Sequence, residues 1–154
     1  MNNRENCRVK KTALFPGSFD PFTDGHEALV RRALELFDRV VIAVGINSDK
    51  QYMFSSEERV SMIEKRFDGE ERIKVVSYSD MTVDCCRRED AGFILRGVRN
   101  TKDFEYEQTV AAVNRKLAPD IDTVILFSDL EYKDVSSTIE REKLRIAGRT
   151  AGRS

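Results

Sequence analysis

The chain has 154 residues, with 26 Lys plus Arg against 27 Asp plus Glu and a formal net charge of −1. That length suits one domain able to bury a core without disulfides, and the balanced charge excludes a global field that would recruit nucleic acid or an acidic membrane, so any bound anion must be held by local cations. Cys7, Cys85 and Cys86 show neither metal-ligand nor redox spacing, and neither a signal-peptide core nor a membrane-spanning apolar run occurs, so a soluble protein of a reducing cytoplasm is expected.

A polar leader covers 1–10, and residues 12–15 then predict a short buried strand. Residues 27–37 place Ala28, Leu29, Ala33, Leu34 and Phe37 at helical spacing. The same grammar repeats with a strand over 39–45, a helix over 57–67 opened by a Ser55–Glu58 capping box, and a strand over 72–78. A helix over 81–90, a strand over 93–97, a helix over 103–117 stopped by Pro119, and a strand over 123–128 follow. A last helix is expected from Ser136, where Ser137 and Glu140 read as another capping box. No linker or repeat divides the chain, so one domain over 1–154 is expected, with a flexible leader and a flexible basic tail over 147–154.

Strands rich in Val and Ile that alternate with helices point to an α/β fold with an open parallel sheet covered on both faces. Right-handed crossovers make a Rossmann-like, doubly wound five-stranded sheet of order 3-2-1-4-5 the simplest arrangement. Its switch point lies between the first and fourth strands, and ligands bind outside their carboxyl ends. The segments FPGSFDPFTDGH (15–26) and RGVRNTKDF (96–104) land there.

Neither the GxxxxGK(S/T) loop nor GxGxxG follows the first strand. Gly25 and His26 stand at a helix start, where free backbone N–H groups attract anions. A local reading competes: Thr23 or Asp24 caps the helix, Gly25 eases the backbone, and His26 is a partly exposed first-turn residue. Similarly, Ser18 can cap the turn after Gly17, Lys50 can be loop surface, and Arg96 can pair with Asp103 or Glu105 instead of an anion. DFEYE (103–107) can be a solvated acidic turn with Phe104 and Tyr106 facing the core.

Thr23-Asp24-Gly25-His26, preceded by GSFDP, resembles the T/H-x-G-H signature of the nucleotidyltransferase superfamily. The rest of residues 12–145 is similar to the phosphopantetheine adenylyltransferases. The similarity rests on NSDKQYMF (47–54) with EERV after it, ILRGVR (94–99), DFEYE, NRKLAP (114–119) and VSST (135–138).

The resemblance implies transfer of AMP from ATP to 4′-phosphopantetheine, giving dephospho-coenzyme A and pyrophosphate in coenzyme A biosynthesis. It makes His26 a transition-state stabiliser, and it places Ser18, Lys50, Thr82 and Arg96 on phosphopantetheine, Lys50 and Arg96 serving catalysis as well. On ATP it places Ser18, Phe19, His26, Gly97, Val98, Arg99 and Glu107, together with Tyr132, Lys133, Asp134, Val135, Ser136, Ser137 and Thr138. Mg²⁺ is implied with ATP and pyrophosphate, no residue being assigned to it, and a homohexamer is implied as the assembly. Three departures stand out: Ser18 where the family usually has Thr, VSST where three serines are commoner, and IAGRTAGRS at the end where most relatives continue through a Pro-containing segment. The competing expectations are a glycerol-phosphate cytidylyltransferase, a nicotinamide-mononucleotide adenylyltransferase, or a nucleotide-binding regulator with an inactive site.

Overall fold

A computed structural model describes residues 10–129 and 132–151, with the side chains of 132–135, 150 and 151 outside the described set. Five strands alternate with five helices: β1 (Thr12–Gly17), α1 (Asp24–Ala33), β2 (Arg39–Gly45), α2 (Ser56–Arg66), β3 (Ile73–Tyr78), α3 (Thr82–Arg88), β4 (Phe93–Val98), α4 (Thr101–Leu117), β5 (Asp122–Phe127) and α5 (Tyr132–Ala151). All strand pairs are parallel and the order is β3-β2-β1-β4-β5, as the alternation of elements predicts.

Because successive strand residues point to opposite faces, β1 and β2 feed two separate cores. Ala13, Phe15, Val40, Ile42 and Val44 pack with Leu29, Val30 and Ala33 of α1 and Ile63 of α2. Leu14, Val41 and Ala43 pack on the other face with Val83, Cys85 and Cys86 of α3, and with Ile94, Ala118 and Ile121. Burying each of the Val, Leu and Ile side chains among them contributes roughly 1.5–3 kcal/mol before entropy is counted. Cys85 and Cys86 are unpaired and buried, and burial pushes the Cys86 thiol up to about 12, so it packs as an inert apolar residue.

The helix boundaries of α2, α3 and α4 fall within two residues of the sequence expectation, and the larger differences are at the two ends of α1 and at the start of α5. α1 is capped at Thr23, earlier than 27, and its regular hydrogen bonding stops at Ala33 instead of Phe37. Leu34 and Phe37 nonetheless stay buried, because the turn after Ala33 keeps both on the core side; the apolar spacing reported burial, not helix. At α2 the Ser55 Oγ accepts from the Glu58 amide at 3.1 Å and donates to the Glu58 carboxylate at 3.1 Å, so the serine cap is present and the return contact goes to the hydroxyl.

The third difference is α5, which begins at Tyr132, so Ser136, Ser137 and Thr138 lie inside the helix and do not open it. No Gly or Pro separates 132 from 136 to stop the helix propagating backward, and a local S-x-x-E pattern loses to that propagation. The helix also continues through Gly148 to Ala151, into the segment expected to be flexible.

Candidate active site

β1 runs out at Gly17, and the chain turns sharply before α1. Phe19 takes the left-handed conformation, φ 48°, which folds its ring back over Gly17. A Cβ on Gly17 would come within 2.7 Å of that ring, so only glycine fits beneath it. The Phe19 ring is buried and stands edge-on to His26 at 5.1 Å between centroids, with Phe15 and Phe22 completing an aromatic wall around the imidazole.

His26 is held by its own helix start. The Thr23 hydroxyl accepts from the His26 amide at 3.4 Å, and the Thr23 amide donates to His26 Nδ1 at 3.0 Å, a reciprocal capping box with histidine in the place usual for Glu or Gln. A backbone N–H can only donate, so Nδ1 must be the acceptor and the ring proton of the neutral imidazole sits on Nε2. Burial lowers the His26 pKa, and the positive charges of Arg99, Arg96 and Arg66 lower it further. At neutral pH the residue is therefore an uncharged N–H donor.

Across the switch point, Arg96 leaves β4 and meets Glu107 of α4, its Nε at 2.9 Å and Nη2 at 2.7 Å from the same carboxylate oxygen, while Nη1 donates to the Pro16 carbonyl. Neither Asp103 nor Glu105 is its partner. Asp103 accepts from the Arg99 amide at 3.2 Å, and the Arg99 side chain stays exposed. The DFEYE segment is no solvated turn: it lies within α4, with Glu107 buried and Phe104 and Tyr106 exposed. Pairing with the partly buried Arg96 guanidinium offsets the cost of putting that carboxylate inside.

Gly97 serves a need besides approach to a nucleotide. A Cβ there would lie 2.7 Å from the Ser128 Oγ and 3.0 Å from Leu29, so the residue that follows β5 and a side chain of α1 close over its bare face. The Val98 side chain is buried, which leaves only backbone there for a ligand.

Lys50 sits in the loop between β2 and α2, and the loop is anchored on the β1 turn. Asp20 accepts from the Met53 and Phe54 amides at 2.6 and 2.9 Å, and the Tyr52 hydroxyl accepts from the Asn47 amide at 2.9 Å. Sequence reasoning passed over Asp20 and Tyr52. The aspartate before Pro21 in GSFDP was the available signal, but its partners lie more than thirty residues away. Thr82, at the start of α3, shares a hydrogen bond of 3.1 Å with the Tyr78 hydroxyl.

Two cavities open along the carboxyl ends of the strands, about 860 and 820 Å³. One is lined by Asn47, Tyr78, Thr82 and Asn114, the other by Phe19, His26, Gly97 and Arg99. Ser18, Lys50, Tyr52, Arg96 and Glu107 line both, so the two are lobes of one cleft that meet at two hydroxyls, two cations and the carboxylate paired with Arg96. Among the described residues neither the Ser18 hydroxyl nor the Lys50 ammonium has an internal hydrogen-bond or ion-pair partner. The arrangement can hold two anionic molecules side by side, with their phosphates at the seam.

The cytidylyltransferase-like family matches residues 14–143. A phosphopantetheine adenylyltransferase of Bacteroides fragilis is 54% identical over 134 residues, covering 87% of this chain and 89% of its own. One from Leptospira biflexa is 50% identical over 137 residues, covering 89% and 86%. The chain belongs to the phosphopantetheine adenylyltransferase family.

Among solved structures, the bifunctional NMN adenylyltransferase/ADP ribose pyrophosphatase of Francisella tularensis shares the fold at TM-score 0.61 and 18% identity, covering 80% of this chain and 40% of its own. A lipopolysaccharide core biosynthesis protein from Thermoplasma volcanium does so at TM-score 0.57 and 17% identity, covering 78% and 97%. Of the residues that the resemblance to the phosphopantetheine adenylyltransferases assigns, the cleft brings together Ser18, Phe19, His26, Lys50, Thr82, Arg96, Gly97, Arg99 and Glu107. Val98, Ser136, Ser137 and Thr138 do not line either lobe, and the side chains of Tyr132, Lys133, Asp134 and Val135 lie outside the described residues.

Proposed function

We propose that the chain transfers AMP from ATP to 4′-phosphopantetheine, giving dephospho-coenzyme A and pyrophosphate, a step of coenzyme A biosynthesis. The observation that carries the proposal is the seam: Ser18, Lys50 and Arg96 line both lobes, so a molecule in each would meet there. The lobe with His26 and Arg99 takes ATP, and the lobe with Thr82 takes the pantetheine arm. Identity above 50% to a phosphopantetheine adenylyltransferase supports this choice of acceptor over those of the sibling transferases.

In the reaction an oxygen of the acceptor phosphate bonds to the α-phosphorus of ATP, and the bond from that phosphorus to pyrophosphate breaks in line. The nucleophile arrives ionised, so no side chain has to remove a proton, and catalysis rests on positioning and electrostatics. His26 Nε2–H donates to the α-phosphate oxygens as their charge changes. Its Nδ1 is engaged with Thr23 and its Nε2 carries the proton, so the ring has no free lone pair for covalent attack. Lys50 and Arg96 hold the acceptor phosphate, Arg96 as a planar cation already oriented by Glu107. Ser18 donates at the seam. Phe19, the backbone of Gly97, Arg99 and Glu107 form the near wall of the ATP lobe; by resemblance Ser136, Ser137 and Thr138 would reach the β- and γ-phosphates from beyond that wall, with Val98 and residues 132–135 near the nucleotide.

ATP enters as its Mg²⁺ complex. The lobe's own carboxylates are already used, Asp20 by two amides, Asp103 by the Arg99 amide and Glu107 by Arg96, which suits a cation carried by phosphate oxygens and water. We further propose one functional domain over 1–154 that works in the cytoplasm; no described helix is long and apolar enough to cross a membrane. A homo-oligomer, hexameric by resemblance, would cover the exposed apolar side chains Phe104, Val113 and Leu117 on α4 and Phe127 at the end of β5. Light scattering should give a hexamer mass, and a monomer at micromolar concentration would refute the assembly.

The function is tested by offering purified protein ATP, Mg²⁺ and 4′-phosphopantetheine, and in parallel nicotinamide mononucleotide with ATP and glycerol phosphate with CTP. Dephospho-coenzyme A and pyrophosphate in the first mixture alone is the expected result. Product only in another mixture would assign the chain to a sibling activity, and ATP binding without product anywhere would make it a regulator.

A further inference from the structure

Arg59, the fourth residue of α2, is 1% exposed, the only fully buried cation among the described residues. No carboxylate is within ion-pair distance of it among those residues. One Nη donates to two backbone carbonyls, of Ser18 at 2.7 Å and of Gly45 at 3.0 Å, and the guanidinium lies 4.0 Å from the centre of the Tyr52 ring. Its Nε has no hydrogen-bond partner. A buried guanidinium satisfied only in part is costly, and an apolar side chain of similar volume would fill the space at lower cost. Packing alone therefore does not explain the residue.

The two carbonyls belong to neighbouring strand ends. Gly17 is the last β1 residue in register with β2, opposite Val44, and Ser18 and Gly45 come next on either side. Past that point the ladder no longer holds the two chains together, and a single Nη bridging both carbonyls sets their separation instead. Ser18 carries one seam hydroxyl, and the loop leaving Gly45 carries Lys50. That same loop is clasped again where Tyr52 covers the guanidinium and ties its hydroxyl to the Asn47 amide. Arg59 itself does not line either lobe.

We infer that Arg59 is a positioning residue, which fixes the distance between Ser18 and Lys50 in the reacting centre without touching substrate. The inference rests on the adenylyl-transfer reading above. A planar guanidinium can face the Tyr52 ring while one of its nitrogens bridges both carbonyls, whereas an ammonium keeps the charge and loses that fixed geometry. A displacement of about an ångström at a reacting centre costs tenfold to a hundredfold in turnover.

The experiment measures kcat and KM for both substrates, at a temperature where circular dichroism shows each protein folded, for wild type, Arg59→Lys, Arg59→Met and Ile63→Val. Ile63 is a buried neighbour on α2 outside the cleft, so its variant reports loss of stability alone. Arg59→Lys and Arg59→Met should lose about tenfold or more in kcat with KM for ATP nearly unchanged, while Ile63→Val loses melting temperature and keeps its kcat. If Arg59→Met does not fold, Arg59→Lys alone decides. Wild-type kcat in Arg59→Lys, whatever its melting temperature, would overturn the positioning role. An inactive wild type would instead refute the adenylyl-transfer reading, so the two failures are distinct.

Discussion

His26→Ala lowers turnover by roughly a hundredfold or more while KM for both substrates stays near the wild-type value, the pattern of a preorganised donor that acts on the transition state. Because His26 also closes the capping box on Thr23, the variant loses about 1 kcal/mol of stability as well. His26→Glu separates the two effects. Its carboxylate accepts the Thr23 amide as Nδ1 does, so the melting temperature recovers, but it offers no N–H and turnover stays low. Recovery of turnover in His26→Glu would show that the cap, and not the donor, is what the reaction needs.

The same residue sets an acid sensitivity. Its pKa lies below the ordinary 6.5 in the folded chain, so as pH falls through 6.5 the unfolded chain takes the proton first. The stability contributed by neutral His26 is complete above about 6.5 and is lost as pH falls toward the lower folded value. Denaturant midpoints at pH 7.5 and 5.5 should differ more for wild type than for His26→Ala. Equal differences would mean that His26 is not held neutral.

Arg96→Ala should leave no measurable turnover, because it removes a cation that faces both lobes, and it should also destabilise the fold by about 3 kcal/mol. The stability loss comes from stranding Glu107, whose side chain is 6% exposed, with its charge uncompensated. The figure is at the low end for a broken buried pair, since Arg96 itself is 28% exposed. Adding Glu107→Gln removes the stranded charge, so the double variant should regain much of the stability and none of the activity. A double variant as unstable as the single one would contradict the pairing as the source of the loss, and turnover above one-tenth of wild type in Arg96→Ala would remove Arg96 from the reacting centre.

Much of this architecture is legible in the chain because its causes are local or periodic. RVVIAVG reads as a strand covered on both faces, and all five residues from Val40 to Val44 are buried. The order 3-2-1-4-5 follows from alternation and handedness, and it places His26 opposite Arg96 before any contact is known. The errors fall where two local signals compete. Apolar spacing at Leu34 and Phe37 persists through a turn that buries the same side chains, and the Ser137–Glu140 pattern imitates a helix start inside a helix.

The pairings that organise the site were hidden for a different reason: each depends on which charged side chain turns inward, and those of Asp20 with Met53 and of Arg59 with Ser18 also join residues more than thirty apart in the chain. Arg96 was weighed against Asp103 and Glu105, yet its partner is Glu107, two residues beyond Glu105 and on the buried side of α4. Asp20 reaches the Lys50 loop, and Arg59, in the charge-rich start of α2, turns inward to two strand ends. Burial of a charged side chain leaves no trace in a hydropathy pattern. His26 was ambiguous between cap and chemistry; the structure shows the cap, and the hydrogen bond that makes it is the one that leaves the proton on Nε2 for the proposed donor role.

In the proposed mechanism AMP moves by a single direct transfer between substrates in two adjoining lobes, with His26 as a donor and no covalent enzyme intermediate. The stereochemical course at the α-phosphorus tests it most directly, read with ATP made chiral there by sulfur and oxygen-isotope substitution. One in-line displacement inverts the configuration in the dephospho-coenzyme A formed, and inversion is the predicted result. Retention would require two displacements through an adenylyl-enzyme and would contradict both the shared seam and the protonated Nε2 of His26.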